Sequence, residues 1–137
     1  MSEAWDIYIK NNLVNLSEGH VDMAAVIGVE DSIRWTTDRQ GHCLKLTPSE
    51  IKTIVNALKS GNMNDFYTSG LHVGEMKFNF LRGDDKMMMA KKKEHGGLYI
   101  QRTKRTVIVA HYPEGKQPGT CNQAAGKLCD WMEQNEF

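Results

Sequence analysis

LHVGEMKFNFLRGDDKMMMAKKKEHGGLYIQRTKRTVIVAHY, residues 71–112, decides the fold. Met76, Phe78 and Phe80 alternate with Lys77 and Asn79, a period of two that gives an extended chain one apolar and one polar face. Gly83-Asp84-Asp85 supplies a turn, Met87 to Ala90 continues extended, and His95-Gly96-Gly97 turns again. A strand from Leu98 to Gln101, a tight connection at Arg102-Thr103-Lys104 and the β-branched run Thr106 to Tyr112 complete the segment. Links this short join antiparallel neighbours, because a parallel crossover needs roughly a dozen residues or more. The stretch predicts a four-stranded meander and excludes a βαβ unit.

Outward from the meander, the strongest local signal is Thr47-Pro48-Ser49-Glu50. Thr47 can accept the free amide three residues on, Glu50 can reach back to the amide of Thr47, and Pro48 sits where a missing donor costs nothing. Ile51, Ile54, Val55 and Leu58 then form one helical stripe, ended by Ser60-Gly61-Asn62. Nearer the N-terminus, Trp5, Tyr8, Ile9, Leu13 and Leu16 recur at three and four over Glu3 to Leu16, predicting an amphipathic helix that Ser17-Glu18-Gly19-His20 breaks. Met23 to Val29 and Ile33 to Thr37 read as a hairpin about Glu30-Asp31-Ser32, with His42 to Leu46 a short further strand. After Pro118-Gly119, Thr120 to Glu136 is helical, with Cys121, Ala124, Ala125, Leu128 and Met132 as its buried stripe. Only a sheet covered by helices buries all these half-apolar elements, so the expected class is α+β, an α/β sandwich on a central antiparallel sheet. The expected domain is single and spans residues 1–137.

A chain of 137 residues suits one such core. Lys plus Arg and Asp plus Glu both number 17, so no net charge draws the whole molecule to nucleic acid or membrane. The balance hides an asymmetry. Between Lys77 and Arg105 nine basic residues face three acids, a local charge of +6 against −6 elsewhere. The acidic first residues do not read as a signal peptide, and no apolar run is long enough for a bilayer. Cys43, Cys121 and Cys129 form neither an even framework nor a CxxC pair, so the expected setting is cytosolic with reduced thiols. No GxxxxGK[ST], GxGxxG or HExxH occurs. His20, His42, His72, His95 and His111 are scattered without ligand spacing, and the adjacent His42-Cys43 pair would point to opposite faces of a strand. Hydrolase and metal-enzyme readings find little support.

Two features remain. Trp5 and Tyr8 share a helix face that already has an apolar stripe, and Trp131 and Phe137 stand near a stripe of small residues. If the terminal helices lie side by side, these rings and Trp35 form a shallow floor. Such a floor suits a polyproline II ligand, which is already extended and offers bare carbonyls to indole N–H and tyrosine O–H donors. Spacing alone leaves core packing, the more common use of such rings, and stacking of single-stranded bases open as well. The basic strands likewise read either as a solvated sheet face or as a patch for an acidic protein or anionic lipid.

The whole chain resembles the profilin family of actin-monomer-binding proteins. Trp5-Asp6-Ile7-Tyr8-Ile9 is similar to its W-x-x-Y opening, and Val26-Ile27-Gly28 followed by Trp35 to its first hairpin. Thr47-Pro48-Ser49-Glu50-Ile51, Gly70-Leu71-His72-Val73-Gly74 and Pro118-Gly119-Thr120-Cys121-Asn122 match later markers in the right order. The stretch Lys91-Lys92-Lys93-Glu94-His95-Gly96-Gly97 looks more like non-vertebrate members. The resemblance implies a sheet of about six or seven strands, the terminal helices on one face and smaller helices on the other. It implies polyproline binding by Trp5, Tyr8, Trp35, Trp131 and Phe137, where Phe137 replaces a frequent Tyr and forfeits one hydrogen bond, about 0.5–1.5 kcal/mol. It implies an actin surface at Tyr67, Lys77, Arg82, Lys93, Asn122 and Gln123, with Gln123 where many members have Lys and Gln117 near a common His. Phosphoinositide binding would draw on Arg82, Lys91, Lys92, Lys93, Arg102, Lys104 and Arg105. The implied protein is a cofactor-free, cytoskeleton-associated monomer without metal, bond chemistry or nucleic-acid partner. It holds monomeric actin, favours nucleotide exchange and delivers subunits to barbed ends through proline-rich proteins such as formin-type elongation factors. The alternative is a phosphoinositide-binding signalling module with weak or no actin activity.

Overall fold

The computed structural model describes residues 2–137. The chain runs through α1 (Glu3–Ile9), a π-helical turn (Lys10–Val14), β1 (Met23–Gly28), α2 (Pro48–Ser60), α3 (Asn64–Ser69), β2 (Leu71–Val73), β3 (Met76–Gly83), β4 (Met87–Lys91), β5 (Gly97–Arg102), β6 (Thr106–Tyr112) and α4 (Pro118–Gln134). The strands form one six-stranded antiparallel sheet in the order β1-β6-β5-β4-β3-β2. β1 pairs with β6 from the far end of the sequence, Met23 opposite His111 and Gly28 opposite Thr106.

Strand alternation sorts the core into two layers. Ala25, Ile27, Val107 and Val109 face α2 and α3, where Ile51, Ile54, Val55, Leu58 and Phe66 cover them. Ala24, Val26, Ile108, Ala110 and Tyr112 face the other way, against Ile9 and Leu13 near the N-terminus and Cys121, Ala125, Leu128, Cys129 and Met132 of α4. The terminal helices thus share one face and the smaller helices the other, as expected. Ala124 of the expected α4 stripe is only half-buried.

The capping box at α2 forms as its sequence dictates. Thr47 Oγ1 accepts the Glu50 amide at 3.2 Å, and Glu50 Oε1 accepts the Thr47 amide at 2.9 Å. The same carboxylate accepts the amides of Gly74 and Glu75, both at 2.8 Å, and so ties α2 to the β2–β3 turn.

Several local expectations are corrected. The meander has five strands, because Leu71–Val73 pairs separately with β3 across a two-residue turn. Ile33 to Thr37 is not a strand: a bridge at Arg34 and the Trp35 amide to the Val26 carbonyl at 2.7 Å join an otherwise looped segment to β1. His42 to Leu46 contributes a single bridge, Cys43 to Ala24. The short α3 is an unexpected element, since no side chain caps its start. Leu16 is not on the buried stripe but 72% exposed. The Asn15 amide bonds to the Lys10 carbonyl at 2.9 Å, five residues back, and this extra residue in the turn rotates the rest of the segment by about 100°. No helix among the described residues is long and apolar enough to cross a membrane.

Candidate functional site

The terminal helices, the loop after β1 and the last residue converge on one aromatic trough. Trp5 and Tyr8 of α1 stand 5.6 Å apart edge to face, Trp5 meets Trp35 at 5.5 Å, and Tyr8 meets Trp131 of α4 at 5.5 Å. Phe137 closes the set, 5.5 Å from Trp5 and 6.3 Å from Trp35. Trp131 is 46% exposed, and the other four rings are half-buried, packed by their inner edges on the core beneath. The five rings are therefore neither core residues nor scattered.

Specific contacts fix the segments that carry Trp5, Trp35 and Phe137. Buried Asp6 in α1 accepts the Thr37 amide at 2.7 Å and the Thr37 hydroxyl at 2.5 Å, which fastens the loop bearing Trp35 to the helix bearing Trp5. Burial alone would push the Asp6 carboxyl up, but the Thr37 hydrogen bonds hold it below the usual carboxylate range. Trp35 Nε1 donates to Asp31 Oδ2 at 3.3 Å. The Phe137 amide donates to the Met132 carbonyl at 2.8 Å, while its own carbonyl accepts the Thr103 hydroxyl at 2.9 Å and the Arg105 amide. The Arg105 guanidinium lies 5.9 Å from the centre of the Phe137 ring. Thr103 and Asp6 carry no visible function in the sequence, because their partners are 34 and 31 residues away.

The trough has unspent donors. Neither the Trp5 and Trp131 indole N–H groups nor the Tyr8 hydroxyl bonds to another described residue, and burial raises the Tyr8 phenol so that it keeps its proton. Trp35, already bonded to Asp31, offers only its ring face.

A second surface lies on the same side of the sheet, beyond the helices. α4 covers β5 and β6, leaving the outer half of that face open. Register places Asn79 opposite Lys91, Arg82 opposite Met89, and Met89 opposite Tyr99, which packs under α4. Lys77, Arg82 and Lys91 thus share an exposed face with half-buried Met87 and Met89. Arg82 Nε reaches Met89 Sδ at 3.4 Å. Asn122 and exposed Gln123 sit in the early turns of α4, and Asn122 Oδ1 is buried without a hydrogen-bond partner among the described residues. Lys93 lies in the β4–β5 turn. Tyr67 stands apart, edge to face at 4.9 Å on Phe80 on the α2 side.

The basic residues do not converge. Lys91, Lys92 and Lys93 end β4, whereas Arg102, Lys104 and Arg105 flank the turn at the opposite end of β5, about 17 Å away at strand rise. Arg102 is half-buried and turned to α2, its Nη1 3.5 Å from the Leu58 carbonyl. The +6 segment is a distributed charge, not one patch.

The three thiols are buried, and burial pushes Cys43 up to about 11 and Cys121 and Cys129 to about 12, which leaves them protonated at neutral pH. No group of three metal-ligating side chains occurs among the described residues.

Fold and site together define a class: an antiparallel sheet between two helical layers, with its terminal helices joined over an aromatic surface trough. A family model described as Profilin matches residues 3–137. A profilin of Strongylocentrotus purpuratus is 36% identical, the alignment covering 95% of this chain and 96% of that protein. The solved structure of Acanthamoeba castellanii profilin IB superposes with a TM-score of 0.84 at 28% identity, covering 97% of this chain and 99% of that one. Mouse profilin IIa, solved in complex with a double repeat from the FH1 domain of mDia1, shares the fold with a TM-score of 0.71 at 22% identity, covering 94% and 99%. The chain belongs to the profilin family, whose members are actin-binding, non-enzymatic proteins.

Proposed function

We propose that this single-domain, monomeric protein binds proline-rich segments in the aromatic trough and monomeric actin on the open face of β3 and β4 beside α4. The observation that carries the reading is the unbroken chain of ring contacts from Trp35 through Trp5 and Tyr8 to Trp131. A polyproline II segment stacks its pyrrolidine rings on such faces and loses little entropy in doing so. Its carbonyls take the free N–H of Trp5 and Trp131 and the O–H of Tyr8. The FH1 repeat bound to mouse profilin IIa is a ligand of this chemistry.

The actin surface comprises Lys77, Arg82, Asn122 and Gln123, with Lys93 at its edge, while Tyr67, on the α2 side, lies off this face. Two partners on two surfaces let the protein load an actin subunit, favour nucleotide exchange and hand the subunit to a barbed end through a formin-type factor, in the cytoplasm. Phosphoinositides compete with actin at Arg82 and Lys91 to Lys93. Arg102, Lys104 and Arg105 are too distant to join them on one headgroup.

Titrating a ten-proline peptide while following tryptophan fluorescence, beside a pyrene-actin assembly assay, tests both halves. Trp5→Ala should weaken the peptide about thirtyfold, the roughly 2 kcal/mol of a truncated aromatic anchor, with actin inhibition unchanged. Peptide binding unaffected by Trp5→Ala refutes the groove. Loss of both activities with loss of the circular dichroism signal means Trp5 holds the fold instead.

A further inference from the structure

The π turn does more than break the helical stripe. It delivers Leu16 to the surface beside Tyr8, where a cleft of about 260 Å³ opens between Tyr8, Asn12, Leu16, Lys127, Leu128 and Trp131. Two of these, Tyr8 and Trp131, also end the aromatic trough, so cleft and trough are one continuous depression. Leu16 is 72% exposed at its rim, an apolar side chain open to contact.

We propose that this cleft is a specificity subsite that reads the residues flanking the prolines, taking an aliphatic side chain against Leu16 and an acidic one beside Lys127. The inference rests on the trough being the polyproline groove. Three consecutive ring-to-ring steps of 5.5, 5.6 and 5.5 Å make the trough long enough for at most about five prolines at polyproline II rise. A ligand that continues past Trp131 therefore lays its next residues into the cleft. Leu16, Leu128 and the two rings make its walls mostly apolar. The Asn12 amide is already committed to the Tyr8 carbonyl at 3.0 Å, which also holds the turn in shape. Lys127 is the one charged residue lining the cleft and has no ion pair among the described residues, so its ammonium is the group there that an anion would meet.

A capped six-proline peptide is compared with the same peptide carrying Leu-Glu at its C-terminal end, Glu-Leu at its N-terminal end, or Gly-Ser at either end, by fluorescence titration. One Leu/Glu-extended peptide should bind about threefold to tenfold tighter than plain six-proline, and neither Gly-Ser peptide should gain. Leu16→Ser and Lys127→Glu should each reduce that gain while binding plain six-proline as wild type does. Lys127→Glu should regain it with Lys in place of Glu in the peptide. Equal affinities for all peptides, or a gain that survives both variants, overturns the subsite. A plain peptide that fails to bind overturns the groove itself, and the subsite with it. Sedimentation showing a dimer that Leu16→Ser dissociates assigns the cleft to a second copy of the chain and equally overturns the proposal.

Discussion

Gly28 ends β1 without a side chain because two others use the space. A Cβ there would lie 2.2 Å from Asp31 Oδ1 and 2.6 Å from Trp35 Nε1. Asp31 in turn accepts the Ile33 amide at 3.0 Å and the Trp35 indole N–H. The bare backbone thus lets the 28–35 loop fold flat enough for Trp35 to meet Trp5. Gly28→Ala should lift the indole from the trough and weaken ten-proline binding about tenfold, at a cost to stability of about 1–3 kcal/mol from the forced shift. Urea denaturation and peptide titration on the same variant separate the two effects. Wild-type peptide affinity would show that Trp35 does not take part.

At the scale of elements, legibility follows locality. α2 is readable to its first residue, because its capping box and stripe lie within a dozen positions of one another. β6 is readable because each of its seven residues is buried and β-branched or apolar chemistry dominates it. The π turn is not, since Leu13 and Leu16 fit an ordinary helical stripe and the turn packs on α4 and β1, elements distant in sequence. The Trp35 loop has the alternation of a strand, yet its anchor, Asp6, lies in another element and holds it as a loop. The aromatic residues are each visible, but their convergence depends on both chain ends packing on one sheet face.

The sheet's closing pair shows a further long-range device. His111 on β6 meets Asp22, just before β1, at 2.6 Å through Nδ1, and its Nε2 lies 2.7 Å from the His95 carbonyl in the β4–β5 turn. The Phe78 ring is its apolar neighbour at 6.2 Å. Burial would push the imidazole down, but the Asp22 hydrogen bond and charge and the His95 carbonyl raise it above its ordinary value. A raised folded value means the contribution is complete below about pH 6.5 and fades as pH climbs through the folded value. Wild type should therefore exceed Asp22→Asn by about 1–2 kcal/mol at pH 5.5, the lower range of a charge-assisted bond because Asp22 is partly open to solvent. That difference should shrink toward pH 8, as read from urea midpoints across the range. A difference independent of pH would mean His111 stays neutral in the fold.

For the whole molecule, the neutral total charge conceals the arrangement that matters. The aromatic trough runs between α1 and α4, joined by the Tyr8–Trp131 contact, and the basic, methionine-bearing face lies across β3 and β4, past the edge of α4. Neither surface contributes a side chain to the other, so energetic coupling between them should be small. Arg82→Glu reverses a charge on the open face, where the side chain is exposed and its guanidinium rests on the Met89 thioether. It should weaken actin about tenfold or more through like-charge placement and lower retention on phosphoinositide vesicles, with ten-proline affinity and thermal midpoint unchanged. Combined with Trp5→Ala, each loss should appear undiminished, additive to within about 0.5 kcal/mol as for distant sites. Actin affinity unmoved by Arg82→Glu would take the actin surface off β3. A double variant that departs from additivity would mean that α4, the one element bordering both surfaces, transmits occupancy of one to the other.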